Sequence, residues 1–129
     1  MKTWLAVVAV LCLLGFTGCG GDSHESLAAD SVSTMKELVS VLEGVKDESS
    51  AKDAKPKIKS LMVKLNTINE SQAKLPAPTD AQIKEMSEKH GKEMEKVSVA
   101  FQQQMFRVMT DPHLAPVFAD MDDILRKRP

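Results

Sequence analysis

Aromatic residues and cysteine are scarce in this sequence. Its 129 residues include no tyrosine, one tryptophan, four phenylalanines and two cysteines. Trp4 and Cys12 both lie in the first 18 residues, so a chain cut after residue 18 keeps neither. Cys19 would then be the only thiol, which excludes an intrachain disulfide even in an oxidising compartment. With 8 methionines beside so few aromatics, the core is expected to be soft and adaptable.

An excess of one charge and long apolar runs are also missing. The 17 basic and 18 acidic residues leave a net charge of −1, so no nucleic-acid-binding surface is expected. The apolar run from Trp4 to Leu14 is shorter than the roughly 20 residues that a membrane span needs. No Gly-rich phosphate loop, HExxH, CxxCH or EF-hand spacing occurs, and these absences predict that the protein is not an enzyme.

The first 19 residues have the order of an export signal. Lys2 precedes the apolar run, and the small residues Thr17 and Gly18 follow it, which is typical of a secretory signal peptide. The end Phe16-Thr17-Gly18-Cys19 resembles the lipobox of bacterial lipoproteins, whose cysteine thiol takes a diacylglycerol group before the chain is cut in front of it. Phe16 departs from the usual Leu, Val or Ile. The alternative is ordinary cleavage near Gly18, which leaves Cys19 as a free thiol.

Together with the polar residues that follow Cys19 and the helical pattern described below, this resemblance predicts three segments. Residues 1–18 would be a cleaved lipoprotein signal peptide, residues 19–25 a flexible polar spacer, and residues 26–129 a helical bundle domain. The lipid on Cys19 is then the only expected covalent group, and its acyl chains anchor the protein at about 0.8 kcal/mol per buried CH₂. The location expected is the exported side of a cell membrane or outer membrane. Gly20 stands where an aspartate would retain a lipoprotein at the inner membrane, and this favours the outer membrane.

Apolar residues recur at steps of three and four through the rest of the chain, the pattern of amphipathic helices. The first helix is predicted over residues 26–46 and the second from about Ser50 to Lys74. Ser50, with Asp53 three residues later, is the predicted N-cap of the second helix. Because Pro56 lacks an N–H, this helix is expected either to start nearer Asp53 or to be kinked. Its apolar stripe follows a heptad spacing at Ala54, Ile58, Leu61, Leu65, Ile68 and Leu75.

A third helix is predicted to open at Thr79, where Gln82 completes a capping box, and to end at Thr110. Asp111 and Pro112 then start a short last helix, since proline is tolerated in a first turn. Short polar links favour antiparallel neighbours. The prediction is therefore an all-α antiparallel bundle of three main amphipathic helices plus a short C-terminal helix. The second and third helices are expected to face each other, and the first to cover their groove. The predicted core stripe of the third helix is Ile83, Met86, His90, Met94, Val97, Phe101, Met105 and Val108.

One group on the third helix could bind a metal or cofactor. Met86, His90 and Met94 stand at i, i+4 and i+8, so their side chains project from one helix face. Thioether and imidazole ligands suit Cu(I), and helical bundles with Met and His inside can also hold haem. The simpler interpretation, which predicts no metal site, is that the methionines fill core gaps and that His90 is a boundary residue.

The stretches VLEGVKDESSAKDAKPKIKSL, LPAPTDAQ and RVMTDPHL make the chain similar to short, functionally uncharacterised helical proteins that some bacteria export. The resemblance covers most of the chain after the signal peptide and implies a similar fold, but it carries no site. The function expected is that of a non-enzymatic envelope lipoprotein that binds another protein or serves as a structural accessory. The alternative is a periplasmic Cu(I) or haem binder, and a third option is a small apolar ligand between the helices.

Overall fold

The computed structural model of this chain describes residues 23–121. Its helices are α1 (His24–Glu43), α2 (Glu48–Lys74), α3 (Asp80–Met86) and α4 (Lys92–Thr110). A π turn (Ser87–Gly91) joins α3 to α4, and a 3₁₀ turn (Ala115–Phe118) follows α4. The described residues contain no strand, so the predicted all-α bundle is confirmed. None of these helices is long and apolar enough to cross a membrane.

Helices α1, α2 and α3 each begin with a capping box, in which a side-chain oxygen accepts a backbone N–H three residues later. The pairs are Ser23 with Ser26 at 3.1 Å, Asp47 with Ser50 at 2.8 Å, and Thr79 with Gln82 at 3.3 Å. The box at Thr79 is confirmed. The cap predicted at Ser50 is wrong, because Asp47 caps α2 and the Ser50 hydroxyl accepts the returning bond from the Asp47 N–H at 3.0 Å.

Helix α1 takes in two residues that were predicted as spacer. Because Ser23 is its N-cap, α1 begins at His24, so the spacer prediction is wrong for His24 and Glu25. His24 Nε2 lies 2.6 Å from the carbonyl oxygen of Pro76, a hydrogen bond that ties the start of α1 to the loop after α2. The signal peptide, Cys19 and the rest of the spacer lie outside the described residues, as does the chain after Met121.

Pro56 lies inside α2 and does not set its start. The helix already begins at Glu48, so a start near Asp53 is wrong. Pro56 is exposed, while Ile58 and Leu61 are buried. Burial of these side chains offsets the backbone hydrogen bond that proline removes.

Helix α1 is the central helix of the bundle. It packs along both α2 and α4, whereas the backbones of α2 and α4 approach each other at isolated positions at most. The expectation that the first helix packs against both others is therefore confirmed, whereas the expectation that the second and third helices face each other closely is wrong. The wide apolar face of α1, on which the adjacent residues Leu38 and Val39 are both buried, accounts for its central position. Helix α4 runs parallel to α1, since Arg107 near its end bonds the carbonyls of Leu42 and Val45.

The contiguous core lies where α1 ends, α2 begins and α4 ends, and this part of the bundle is called the core end. Its buried members are Leu38, Leu42, Val45, Ala51, Ile58, Leu61, Met62, Val108, Leu114, Phe118 and Met121. Leu65, Phe101 and Met105 were predicted in the core and are partly buried against it.

The opposite end of the bundle, called the loop end, comprises the start of α1, the end of α2, residues 75–79, α3 and the π turn. No side chain of α3 or the π turn is buried. Ile83 was predicted in the core stripe and is 49% exposed, so that assignment is wrong. Helix α3 therefore continues the third helix without contributing to the core.

Candidate functional site

An exposed apolar strip runs along α4, and it is named the α4 face. Its apolar members are Val99, Phe106 and Met109, of which Phe106 is 72% exposed. The exposed side chains of Gln102 and Gln103 lie between them along the helix. Spacings of seven and three residues place these side chains on one side of a helix. Phe106 and Met109 are neighbours on this side, and adjacent exposed apolar residues mark interaction sites more often than single ones do.

A small apolar cavity adjoins the α4 face at the core end. It has a volume of about 30 Å³. That is close to the share of one water molecule and far below the several hundred Å³ of a ligand pocket. This cavity is therefore too small to hold the small apolar ligand considered between the helices. Its lining residues are Leu42, Ile58, Met62, Met105, Val108, Met109, Phe118 and Met121.

Four of these lining residues are methionines, and one of them, Met109, also belongs to the α4 face. Methionine side chains are unbranched and polarisable, so they adapt to different partners and recur at adaptable binding surfaces. The cavity and the α4 face together form a soft apolar surface that continues from outside the bundle towards its core.

Arg107 fixes this part of α4 to α1. Its Nη1 donates to the carbonyl of Val45 at 2.8 Å, its Nη2 to the carbonyl of Leu42 at 2.8 Å, and its Nε to Oε1 of Gln104 at 3.0 Å. The last carbonyls of a helix lack partners within the helix, and a cation there is favoured by the helix dipole. The hydrogen bonds of Arg107 thus hold in place the part of α4 that carries the exposed side chain of Phe106.

Arg107 was missed in the sequence analysis. The only sequence signal for it is one charged residue inside the otherwise apolar stretch from Met105 to Met109. The helical pattern alone predicts that such a charged side chain is exposed to solvent, but the side chain of Arg107 is half-buried. Its hydrogen-bond acceptors are backbone carbonyls, which every residue has. The sequence therefore contains no residue type that identifies the partners of Arg107.

The candidate ligands Met86, His90 and Met94 lie at the end of α3, in the π turn and in the first turns of α4. All three are half-buried. The described residues hold no cluster of three or more His, Cys, Asp or Glu side chains that could bind a metal. Methionine thioethers are a different kind of ligand, so the Cu(I) or haem alternative stays a prediction.

The π turn departs from the regular helix expected here. Such turns insert a residue into an α-helix and occur often at functional sites. A Cβ atom added at Gly91 would lie 3.3 Å from Oγ of Ser87, so glycine permits this close approach within the turn. The turn also carries His90 and Lys89, which places the one candidate imidazole ligand at an irregular point of the helix.

Ion pairs join the π turn and the start of α4 to α1. Lys89 Nζ lies 2.8 Å from a carboxylate oxygen of Glu25 and 2.7 Å from one of Glu85. The hydrogen bond to Glu25, and after it the one to Glu85, raises the pKa of Lys89 well above its ordinary value. Lys36 of α1 pairs with Glu93 of α4 and lowers the pKa of that carboxyl. Because these groups are largely exposed, solvent and salt screen the pairs.

No family model, curated protein or solved structure matches this chain. The class that the structure defines is a three-helix all-α bundle with a central first helix. The surface that stands out on it is the α4 face with its methionine-lined cavity. Lipidation of Cys19 stays a prediction, since that residue is outside the described range.

Proposed function

We propose that this protein is a non-enzymatic lipoprotein of the cell envelope, anchored through Cys19, which binds a partner protein through the α4 face. The anchor is supported by the order of charge, apolar run and small residues before Cys19. The partner surface is supported by one observation. Phe106, a large aromatic side chain, is 72% exposed on a helix that Arg107 holds rigidly.

The chemistry of the α4 face fits an apolar protein surface better than a polar ligand. None of its five residues carries a charge or a titratable group. Aromatic side chains that become buried at the centre of an interface commonly supply much of the binding free energy. The adjacent methionines can move to admit a partner's side chain beside Phe106.

The position of the α4 face also fits a partner located away from the anchoring membrane. Arg107 contacts the C-terminal end of α1, whereas the proposed anchor precedes its N-terminal end. Helix α1 has 20 residues, and so separates the two by about 30 Å along its axis. The surface is therefore accessible to another envelope protein.

Recovery of a stoichiometric partner with the membrane-extracted lipoprotein tests this proposal. Phe106→Gln should abolish recovery, because it replaces the central apolar side chain by a polar one. Val63→Gln is the matched control, since Val63 is 51% exposed on α2, outside the α4 face. Equal recovery with both variants would show that the partner, if there is one, binds elsewhere.

Cys19→Ser tests the anchor. If Cys19 carries the lipid, the variant loses palmitate labelling and leaves the membrane fraction. An unchanged membrane fraction would mean that the signal is retained or that another surface binds the membrane.

The second candidate function is Cu(I) or haem binding through Met86, His90 and Met94. The observation that favours it is their shared half-burial around the π turn. Titration of the acylation-free mature chain with Cu(I) and with haem tests it. Binding at micromolar concentration that His90→Leu removes would support this function, and no binding at that concentration would exclude it.

A further inference from the structure

Helix α3 lies beside the start of α1 at the loop end. Lys89 Nζ reaches a carboxylate oxygen of Glu25 in the first turn of α1, at 2.8 Å. From Lys89 the helix continues back to Asp80, about 13 Å further along its axis at 1.5 Å per residue. The hydrogen bond of His24 to the Pro76 carbonyl ties the loop before α3 to the same end. The start of α1 is thus flanked by this loop and by α3.

The proposed lipid anchor is attached to the chain at this end. Cys19 precedes the α1 cap Ser23 by so few residues that even a fully extended chain spans at most about 14 Å between them. A lipid on Cys19 therefore holds the start of α1 close to the bilayer surface, together with residues 75–83 that flank it.

The surface that would meet the bilayer is largely uncharged, since Asp80 is the one charged residue among residues 75–83. Residues 75–79 read Leu-Pro-Ala-Pro-Thr, and Pro76 and Ala77 are exposed. Ile83 is 49% exposed on α3, although it belongs to an apolar stripe. Proline has no backbone N–H, so this loop offers few donors that would lose water at the interface, where unsatisfied backbone groups are costly.

We propose that the loop end is a second membrane contact, in which Ala77 and Ile83 rest on the lipid bilayer that holds the acylated Cys19. This inference rests on the proposed lipid anchor. The bundle then stands on the membrane by its loop end, and the α4 face is held on the far side for its partner. The exposure of Ile83 and the lack of burial in α3 follow from contact with lipid.

Tryptophan fluorescence can test this arrangement, because the only tryptophan, Trp4, leaves with the signal peptide. Ile83→Trp and Val99→Trp each introduce a single reporter, and both sites are 49% exposed. They lie about 24 Å apart along the helix axis. The lipidated variants are placed in phosphatidylcholine and phosphatidylglycerol vesicles with or without brominated acyl chains, and the processed wild-type chain is the blank.

The expected result is a blue-shifted emission and a loss of fluorescence in brominated vesicles for Ile83→Trp, with neither effect for Val99→Trp. Equal quenching of both reporters, or quenching of Val99→Trp alone, would overturn the inference. If the chain co-floats with the vesicles in a density gradient but Ile83→Trp stays unquenched, the loop-end contact is overturned and the anchor stands. If the chain does not co-float, the anchor is overturned, and this inference with it.

Discussion

The two ends of this bundle have similar apolar patterns and different packing. At the core end, α1, α2, α4 and the segment after α4 all bury side chains in one cluster. At the loop end, α3 keeps the spacing of an amphipathic helix but buries none of its residues. The difference is one of neighbours, because α3 contacts α1 at only a few positions and has little else to pack against. An apolar stripe thus shows which side of a helix is available for contact, and the rest of the fold decides whether contact is made.

Truncation of a matched isoleucine in each half of α2 should give the largest effects. Ile58 is 1% exposed in the core cluster, and Ile68 is 6% exposed outside it. Ile58→Ala should lower the free energy of unfolding by about 3 to 5 kcal/mol, and Ile68→Ala by about 2 kcal/mol, since large-to-small costs grow with the cavity left behind. Denaturant unfolding of the acylation-free chain measures both. A larger loss at Ile68 would reverse the comparison of the two ends.

Removal of the Arg107 guanidinium should have the next largest effect, again at the core end. In Arg107→Met the aliphatic part is kept, but the carbonyl of Val45 loses its donor, while that of Leu42 still accepts from the Val45 N–H at 3.0 Å. Unsatisfied groups of this kind cost about 1 to 3 kcal/mol, with the lower part of that range expected at a half-buried site. Arg107→Lys is the control and should lose less, because an ammonium can still reach one carbonyl. Equal losses of unfolding free energy in Arg107→Met and Arg107→Lys would show that the ammonium cannot replace the paired hydrogen bonds of the guanidinium.

The sequence was sufficient to predict the helices, their approximate bounds and the side of each that could be buried. Patterns of three and four residues and the capping box at Thr79 are local, and they are preserved in the structure. The central position of α1 was not predictable in this way, because the stripes of all three helices are similar in kind. Arg107 was missed for a related reason, since its partners are backbone carbonyls far away in the chain. The exposure of Ile83 depends on how few neighbours α3 has in the folded chain, which no local pattern records.

A fall in pH should reduce amide-exchange protection at the loop end before the core end. The loop end has exposed ion pairs in place of a continuous core. Hydrogen bonds from Lys89 and Lys36 hold the pKa values of Glu85 and Glu93 below the ordinary 4.5. A carboxyl whose pKa is lowered by folding stabilises the fold above its unfolded pKa, and this contribution is lost as the pH falls through the folded value. Amide-exchange protection in α3 and the π turn should therefore decrease below about pH 4.5, while Ile58 and Val108 stay protected.

A matched variant separates this effect from general acid unfolding. Glu93→Gln keeps the shape of the side chain and removes the titrating group that pairs with Lys36. It should reduce protection of the first turns of α4 at neutral pH and make it less dependent on pH. Loss of protection at the core end first, in either chain, would contradict the difference proposed between the two ends.

His90→Leu should have the smallest effect on stability, and its sign distinguishes two interpretations of the π turn. His90 is half-buried on a helix whose nearest turns contain no fully buried side chain. If it is a boundary residue beside the apolar stripe, leucine extends that stripe and the thermal midpoint holds or rises. If the imidazole hydrogen-bonds a group inside the bundle, its loss leaves that group unpaired at a cost of about 1 to 3 kcal/mol.

Phe101→Ala is the companion variant in the same assay, because Phe101 packs against the core cluster and truncation there should cost at least about 2 kcal/mol. We expect a clear loss for Phe101→Ala and none for His90→Leu. The reverse order would mean that the loop end has a specific internal site around His90, and would favour the Cu(I) or haem function over the membrane contact as the reason for the structure of this end.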